Sequence, residues 1–178
     1  MALTRILGLL LVLALFECLA SAAEDSVDFP PGCPTAENIQ EICGHSKTRP
    51  RYPNLPNHGY LLREADVIHR TEAWYSQQCC QGNWEQNTKK TVCCAQNAWK
   101  KALALLCEEE GMIKTIPHQC CLIEGAARWR CFDSMAPNPS YQTTTPYSGP
   151  DVLPKGPAFK FPSTCSAKEQ HHAGQKTN

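Results

Sequence analysis

The sequence predicts a small all-α domain that is rich in disulfide bonds, and three observations support this. Apolar residues recur at helical spacing, and no alternating strand pattern of useful length is present. An N-terminal apolar segment indicates secretion, which favours disulfides. Cysteines occur as three adjacent pairs, which are Cys79-Cys80, Cys93-Cys94 and Cys120-Cys121.

The adjacent pairs limit how the cysteines can bond. Neighbouring Cα atoms lie about 3.8 Å apart, whereas the Cα atoms of a relaxed disulfide lie about 4.4–6.8 Å apart. We therefore expect the two members of a pair to bond to different partners. Each doublet then fastens three chain segments at one point.

Residues 1–22 have the features of a secretory signal peptide. Arg5 supplies positive charge, residues 6–16 form an apolar run, and Ala20-Ser21-Ala22 is a small-residue cleavage site. The run is short for a membrane span, which needs about 20 residues. The sequence thus predicts a secreted, extracellular protein with no membrane span.

Cleavage would remove Cys18 and leave eleven of the 12 cysteines. Because eleven is odd, at least one thiol is free or bonds to another molecule, which allows a disulfide-linked homodimer. The formal net charge is zero. There is no basic surplus that would indicate nucleic acid as a partner.

Composition divides the rest of the chain into three parts. Residues 23–34 form a leader that ends in a proline-rich stretch, and residues 35–134 form the cysteine-rich helical domain. Residues 135–178 hold seven of the 14 prolines, with Ser, Thr, Gly and Lys between them. This composition predicts an extended, disordered tail.

Four helical segments are expected within residues 35–134. Thr35 is a candidate N-cap for a first helix, and residues 45–59 form a loop. Apolar positions from Leu61 to Cys79 predict a second helix, and a stripe from Val92 to Leu106 predicts the clearest one. Pro117 is a good first residue for a short helix that carries the third doublet to Gly125.

The cysteines show an internal repeat once Cys33, Cys93 and Cys165 are set aside as an unpaired group. A single cysteine, a doublet and a second single cysteine occur twice in succession. The simplest wiring joins each upstream single to the second doublet member, and the first member to the downstream single. It gives Cys43–Cys80, Cys79–Cys94, Cys107–Cys121 and Cys120–Cys131. Spacing alone leaves the connectivity open, because eight cysteines allow 105 pairings.

The residues do not indicate a metal, a cofactor or an enzyme. His118 precedes the third doublet, but no pair of C-x₂-C knuckles accompanies it. The sequence has no Gly-x-Ser-x-Gly elbow, no His-Glu-x-x-His motif and no glycine-rich phosphate loop. We therefore interpret the chain as a secreted interaction module. Its candidate contact residues are Trp84 in a polar loop, and Arg128 and Arg130 on either side of Trp129.

Several motifs resemble a known extracellular repeat. They include Phe29-Pro30-Pro31-Gly32, Asn54-Leu55-Pro56, Cys94-Ala95 with Trp99, Pro117-His118 before the third doublet, and Cys131-Phe132. Over roughly residues 28–141 the chain is similar to the extracellular matrix protein 1 family, and the wiring resembles the double loops of serum albumin. The resemblance implies binding to matrix or other extracellular proteins, restraint of matrix proteases and modulation of growth signalling. Two departures are a single repeat and a cysteine at position 33.

The sequence leaves two other functions open. The likeness to albumin suggests a carrier of small apolar ligands, but a carrier needs a cavity of about 300–1,000 Å³. A protease inhibitor would use the loop Lys47–His58, which contains Arg49-Pro50-Arg51. A proline after the basic residue makes that bond a poor one for trypsin-like enzymes.

Overall fold

The computed structural model describes residues 28–45, 60–108, 115–142 and 165. Within these ranges the protein is all-α, as predicted, and contains no strand. The helices are α1 (Ile39–Gly44), α2 (Tyr60–Trp74), α3 (Thr88–Glu108) and α4 (Gly125–Ser134). A π-helical turn, Tyr75–Cys79, continues α2, and 3₁₀ turns at Trp84–Asn87 and Ile116–Leu122 precede α3 and α4. None of the helices in these ranges is long and apolar enough to cross a membrane.

Helix α3 is the centre of the core. Its stripe of Ala95, Ala98, Trp99, Ala102 and Leu103 is fully buried. The three alanines have almost no side chain, which lets neighbouring helices approach α3 closely, and α2 packs along it. Other large core side chains come from α1, from the end of α2 with its π-helical turn, and from α4; they include Ile39, Ile42, Trp74, Tyr75 and Phe132.

Local chemistry moves two helix boundaries from their predicted positions. The first helix begins only at Ile39, because the Thr35 hydroxyl accepts the N–H groups of Glu37 and Asn38 and so caps the preceding turn. The segment expected from Pro117 to Gly125 is a 3₁₀ turn that ends at Leu122. Gly125 has φ +61°, a left-handed conformation suited to glycine, and α4 begins there as a separate helix.

Five disulfides tie the helices together. The pairs Cys43–Cys80, Cys79–Cys94, Cys107–Cys121 and Cys120–Cys131 are present, with Cα atoms 5.2–5.5 Å apart. They are the four pairs of the double-loop wiring. The first double loop joins α1, the π-helical turn and α3, and the second joins the end of α3 to the 3₁₀ turn and α4.

The structure pairs two of the three cysteines whose pairing the sequence leaves open. Cys93 is bonded to Cys165, which lies 72 residues away, and only Cys33 is a free thiol among the described residues. Successive positions on a helix point about 100° apart. Cys94 therefore faces the π-helical turn and bonds to Cys79, whereas Cys93 points in another direction from the same helix and bonds to Cys165.

Both flanks of the 35–134 range pack onto it. The Trp99 indole N–H donates to the Pro31 carbonyl at 2.7 Å, and the Tyr141 hydroxyl donates to the Gly32 carbonyl at 2.6 Å. The Asn38 amide donates to the carbonyls of Cys33 and Pro139, both at 2.9 Å. Residues 28–34 and 135–142 are therefore part of the packed unit. The proposed signal peptide, the Lys47–His58 loop and most of the tail lie outside the described residues.

Candidate interaction surface

The second double loop exposes large apolar side chains. Ile116 is 74% exposed, Leu122 is 77% exposed and Ile123 is 36% exposed. Ile116 and Leu122 lie six residues apart on a 3₁₀ turn, which has three residues per turn, so they share one side. We call these three residues the apolar face. Single exposed apolar residues are ordinary, but grouped ones mark interaction sites.

The backbone beneath the apolar face is held by covalent and polar contacts. Cys120 and Cys121 belong to the same 3₁₀ turn and are bonded to α4 and α3. The Arg128 guanidinium donates to the Ile123 carbonyl at 2.7 Å and to the Cys121 carbonyl at 3.2 Å. The face is thus presented on a fixed element, and its side chains do not depend on a mobile loop for their position.

A buried carboxyl group anchors the start of this turn. Glu64 on α2 is only 8% exposed, and its side chain is hydrogen-bonded to that of Thr115, the residue before Ile116. Burial raises the pKa of the Glu64 carboxyl, and the Thr115 hydrogen bond offsets part of that rise. The turn that carries the apolar face is therefore joined to α2 by a hydrogen bond to a titratable carboxyl group.

The structure separates the contact residues that the sequence singled out. Trp129 is half-buried, with its ring 6.0 Å from that of Trp99, and the Arg128 guanidinium lies 5.9 Å from the Trp129 ring. Arg128 is thus engaged within the fold, whereas Arg130 is exposed. Trp84 is half-buried in the first double loop, where it lines a cleft.

Sequence reasoning did not single out the apolar face. The available signal was weak, since Ile116, Leu122 and Ile123 fit neither the long α3 stripe nor a strand pattern. The spacing of six between Ile116 and Leu122 matches two 3₁₀ turns, but it gives an outward direction only when the backbone is known.

Cys33 is a half-buried thiol near the end of α4. Its backbone N–H donates to the Asp133 carboxylate at 2.8 Å. Burial, together with the negative charge of Asp133, raises the pKa of the Cys33 thiol to about 11. Because the thiolate is the reactive form, this environment suppresses thiol chemistry at neutral pH.

The described residues show no arrangement for metal binding. Within this part of the chain, no three His, Cys, Asp or Glu side chains lie close enough to hold a metal ion. Ten of the described cysteines are committed to the five disulfides.

Comparison with known proteins gives a consistent result. The family model of extracellular matrix protein 1 matches residues 20–172. Human extracellular matrix protein 1 is 36% identical over 139 residues, which cover 75% of this chain and 25% of the human protein. The mouse protein is 33% identical over 138 residues, or 75% of this chain and 24% of its own length. This chain spans about a quarter of the length of these relatives. No solved structure matches it.

Proposed function

The chain belongs to the extracellular matrix protein 1 family, and on this premise we propose that it is a non-enzymatic binding protein that docks another extracellular protein. It is a secreted, extracellular protein of the disulfide-rich helical type. The proposed contact is the apolar face, and the proposed partner is a matrix protein that presents a complementary apolar segment.

The exposure of Ile116 and Leu122 on a disulfide-held turn is the observation that supports this proposal. Burying one such side chain is worth about 1.5–3 kcal/mol. A turn that is fixed before binding loses little conformational freedom on docking, so more of that free energy appears as affinity.

Restraint of proteases and modulation of growth signalling are proposed as consequences of docking. A protein without a catalytic constellation can restrain a protease or a signalling protein by covering its surface. Because the chain spans about a quarter of its relatives, the activities of the whole relatives enter only as part of this proposal.

The test measures binding of the secreted chain to a panel of purified, immobilised extracellular matrix proteins by biolayer interferometry. We expect the double variant Ile116→Ser with Leu122→Ser to bind at least tenfold more weakly, since about 1.4 kcal/mol corresponds to tenfold. Leu62→Ser is the matched control, because Leu62 is an exposed leucine, at 41%, on α2. Equal binding by the double variant and wild type would contradict the proposal.

The described residues give the other functions less support. A cleft of about 160 Å³ in the first double loop is smaller than the 300–1,000 Å³ typical of drug-sized ligand sites. The inhibitor loop Lys47–His58 lies outside the described residues and stays a prediction. A disulfide-linked homodimer also stays a prediction, and the half-burial of Cys33 disfavours it.

A further inference from the structure

The cleft in the first double loop has an unusual lining. Its volume is about 160 Å³, and it lies between the end of the π-helical turn, the Trp84–Asn87 turn and the start of α3. Four of the lining side chains are primary amides, and one indole and one ammonium group accompany them. We call it the amide cleft; these six residues are Gln78, Gln81, Asn83, Asn87, Trp84 and Lys90.

The walls of the amide cleft are fixed to α3. The Thr91 hydroxyl lies 3.2 Å from both the Trp84 and Asn87 carbonyls and can donate to either, and the Asn87 amide donates to the Asn83 carbonyl at 3.3 Å. The buried Cys79–Cys94 disulfide joins the π-helical turn to the same helix. The backbone of the turn that carries Trp84 is therefore fixed to α3 before any ligand arrives.

Part of the polar lining is available to a ligand. Across the described ranges, the side-chain amides of Gln78 and Asn83 form no hydrogen bond to another residue. Each primary amide offers two N–H donors and a carbonyl acceptor. A ligand that presents several groups able both to donate and to accept would satisfy such a lining.

We propose that the amide cleft binds one neutral pyranose residue of a glycan. Sugar hydroxyl groups both donate and accept, which matches the amides, and the C–H face of a pyranose stacks on an aromatic ring such as Trp84. The cleft, at about 160 Å³, is well below the 300–1,000 Å³ of drug-sized ligand sites, so it holds at most one sugar unit, with the rest of a glycan outside. The four amides carry no charge and suit hydroxyl groups, and the Lys90 ammonium is the one charged group of the lining, so the comparison with a charged glycoside below tests whether it adds affinity.

This inference stands apart from the proposed protein-docking function. The apolar face belongs to the second double loop, whereas the amide cleft belongs to the first. Loss of one binding activity is therefore distinguishable from loss of the other by variants in separate loops.

Saturation-transfer NMR and calorimetry on the intact secreted chain would test the proposal. The probes are the methyl glycosides of glucose, galactose, mannose and N-acetylglucosamine, with methyl glucuronide as the charged comparison. We expect saturable binding of at least one neutral glycoside with a dissociation constant on the order of 1 mM. Trp84→Ala and Asn83→Ala should each weaken it at least fivefold.

Gln86→Ala is the matched control, because Gln86 is an exposed amide on the same 3₁₀ turn but is not part of the lining. It should leave binding unchanged, and circular dichroism should show that all four variants, Lys90→Ala included, are folded. Three results would overturn the proposal. The first is that no neutral glycoside binds, and the second is that Trp84→Ala binds as tightly as wild type. The third is that only the glucuronide binds and that Lys90→Ala no longer binds it.

Discussion

The substitution Gly32→Ala would probe the packing of the leader against residues 138–141. A Cβ atom at Gly32 would lie 2.7 Å from the Pro139 Cα, 3.2 Å from its carbonyl oxygen and 3.3 Å from its carbonyl carbon. These are backbone atoms, which cannot rotate away as a side chain can. The two segments must separate to admit the methyl group.

The expected cost follows from this geometry. Forcing an extra methyl group into a packed site destabilises a protein by about 1–3 kcal/mol. Separation would also weaken the 2.6 Å hydrogen bond from Tyr141 to the Gly32 carbonyl, a contact of about 0.5–1.5 kcal/mol. Because one displacement causes both losses, we expect a total of about 1–3 kcal/mol rather than their sum. For a domain of this size, each kcal/mol lowers Tm by about 4–8 °C.

Thermal unfolding of the secreted, oxidised protein, followed by far-UV circular dichroism, measures this loss. Gly44→Ala is the matched control, because a Cβ there has no neighbour within 4 Å. Gly44 ends α1, so its replacement should leave Tm unchanged or slightly raised. If Gly32→Ala unfolded at the wild-type temperature, the close contact between leader and Pro139 would be refuted.

Two further predictions concern titratable groups. Because the pKa of Glu64 is raised in the folded state, its stabilising contribution is present below the unfolded pKa of about 4.3 and is lost as pH rises through the folded value. Urea unfolding of wild type and Glu64→Gln should therefore show wild type losing stability relative to the variant as pH rises above about 4; a constant difference would contradict this. The Cys33 thiol, with a pKa of about 11, should react with iodoacetamide at neutral pH at least about a hundredfold more slowly in the native protein than in urea. Similar rates in both conditions would show that Cys33 is neither buried nor suppressed.

The double-loop wiring could be drawn as the simplest pairing because single, doublet and single cysteines recur in the same order, and because the constraint on a doublet is local. Two adjacent cysteines cannot relax into one bridge, so each must reach outward. The Cys93–Cys165 bond had no such signal, since its partners are 72 residues apart and the tail around Cys165 has no periodic pattern. The direction in which Cys93 points from α3 determines its partner, and that direction is known only from the three-dimensional structure.

The burial of the leader also could not be predicted from the sequence. Pro30, Pro31 and Pro34 are buried, although proline-rich segments are ordinarily exposed. The carbonyls of Pro31 and Pro34 accept hydrogen bonds from the Trp99 indole and the Gln96 amide. The Gly32 carbonyl between them accepts one from the Tyr141 hydroxyl, and all three donors come from distant parts of the chain. Of the candidate contacts, Trp84 could be noted for its polar neighbours, whereas the carbonyl partners of Arg128 required the folded backbone.

Disulfide mapping of the secreted protein tests the two double loops most directly. No protease separates the two members of a doublet, so partial reduction with stepwise alkylation should precede mass spectrometry. We expect Cys43–Cys80, Cys79–Cys94, Cys107–Cys121, Cys120–Cys131 and Cys93–Cys165, with a free thiol at Cys33. A bond between the members of a doublet, or a bridge between the first and second double loops, would contradict this architecture and the placement of both proposed binding sites.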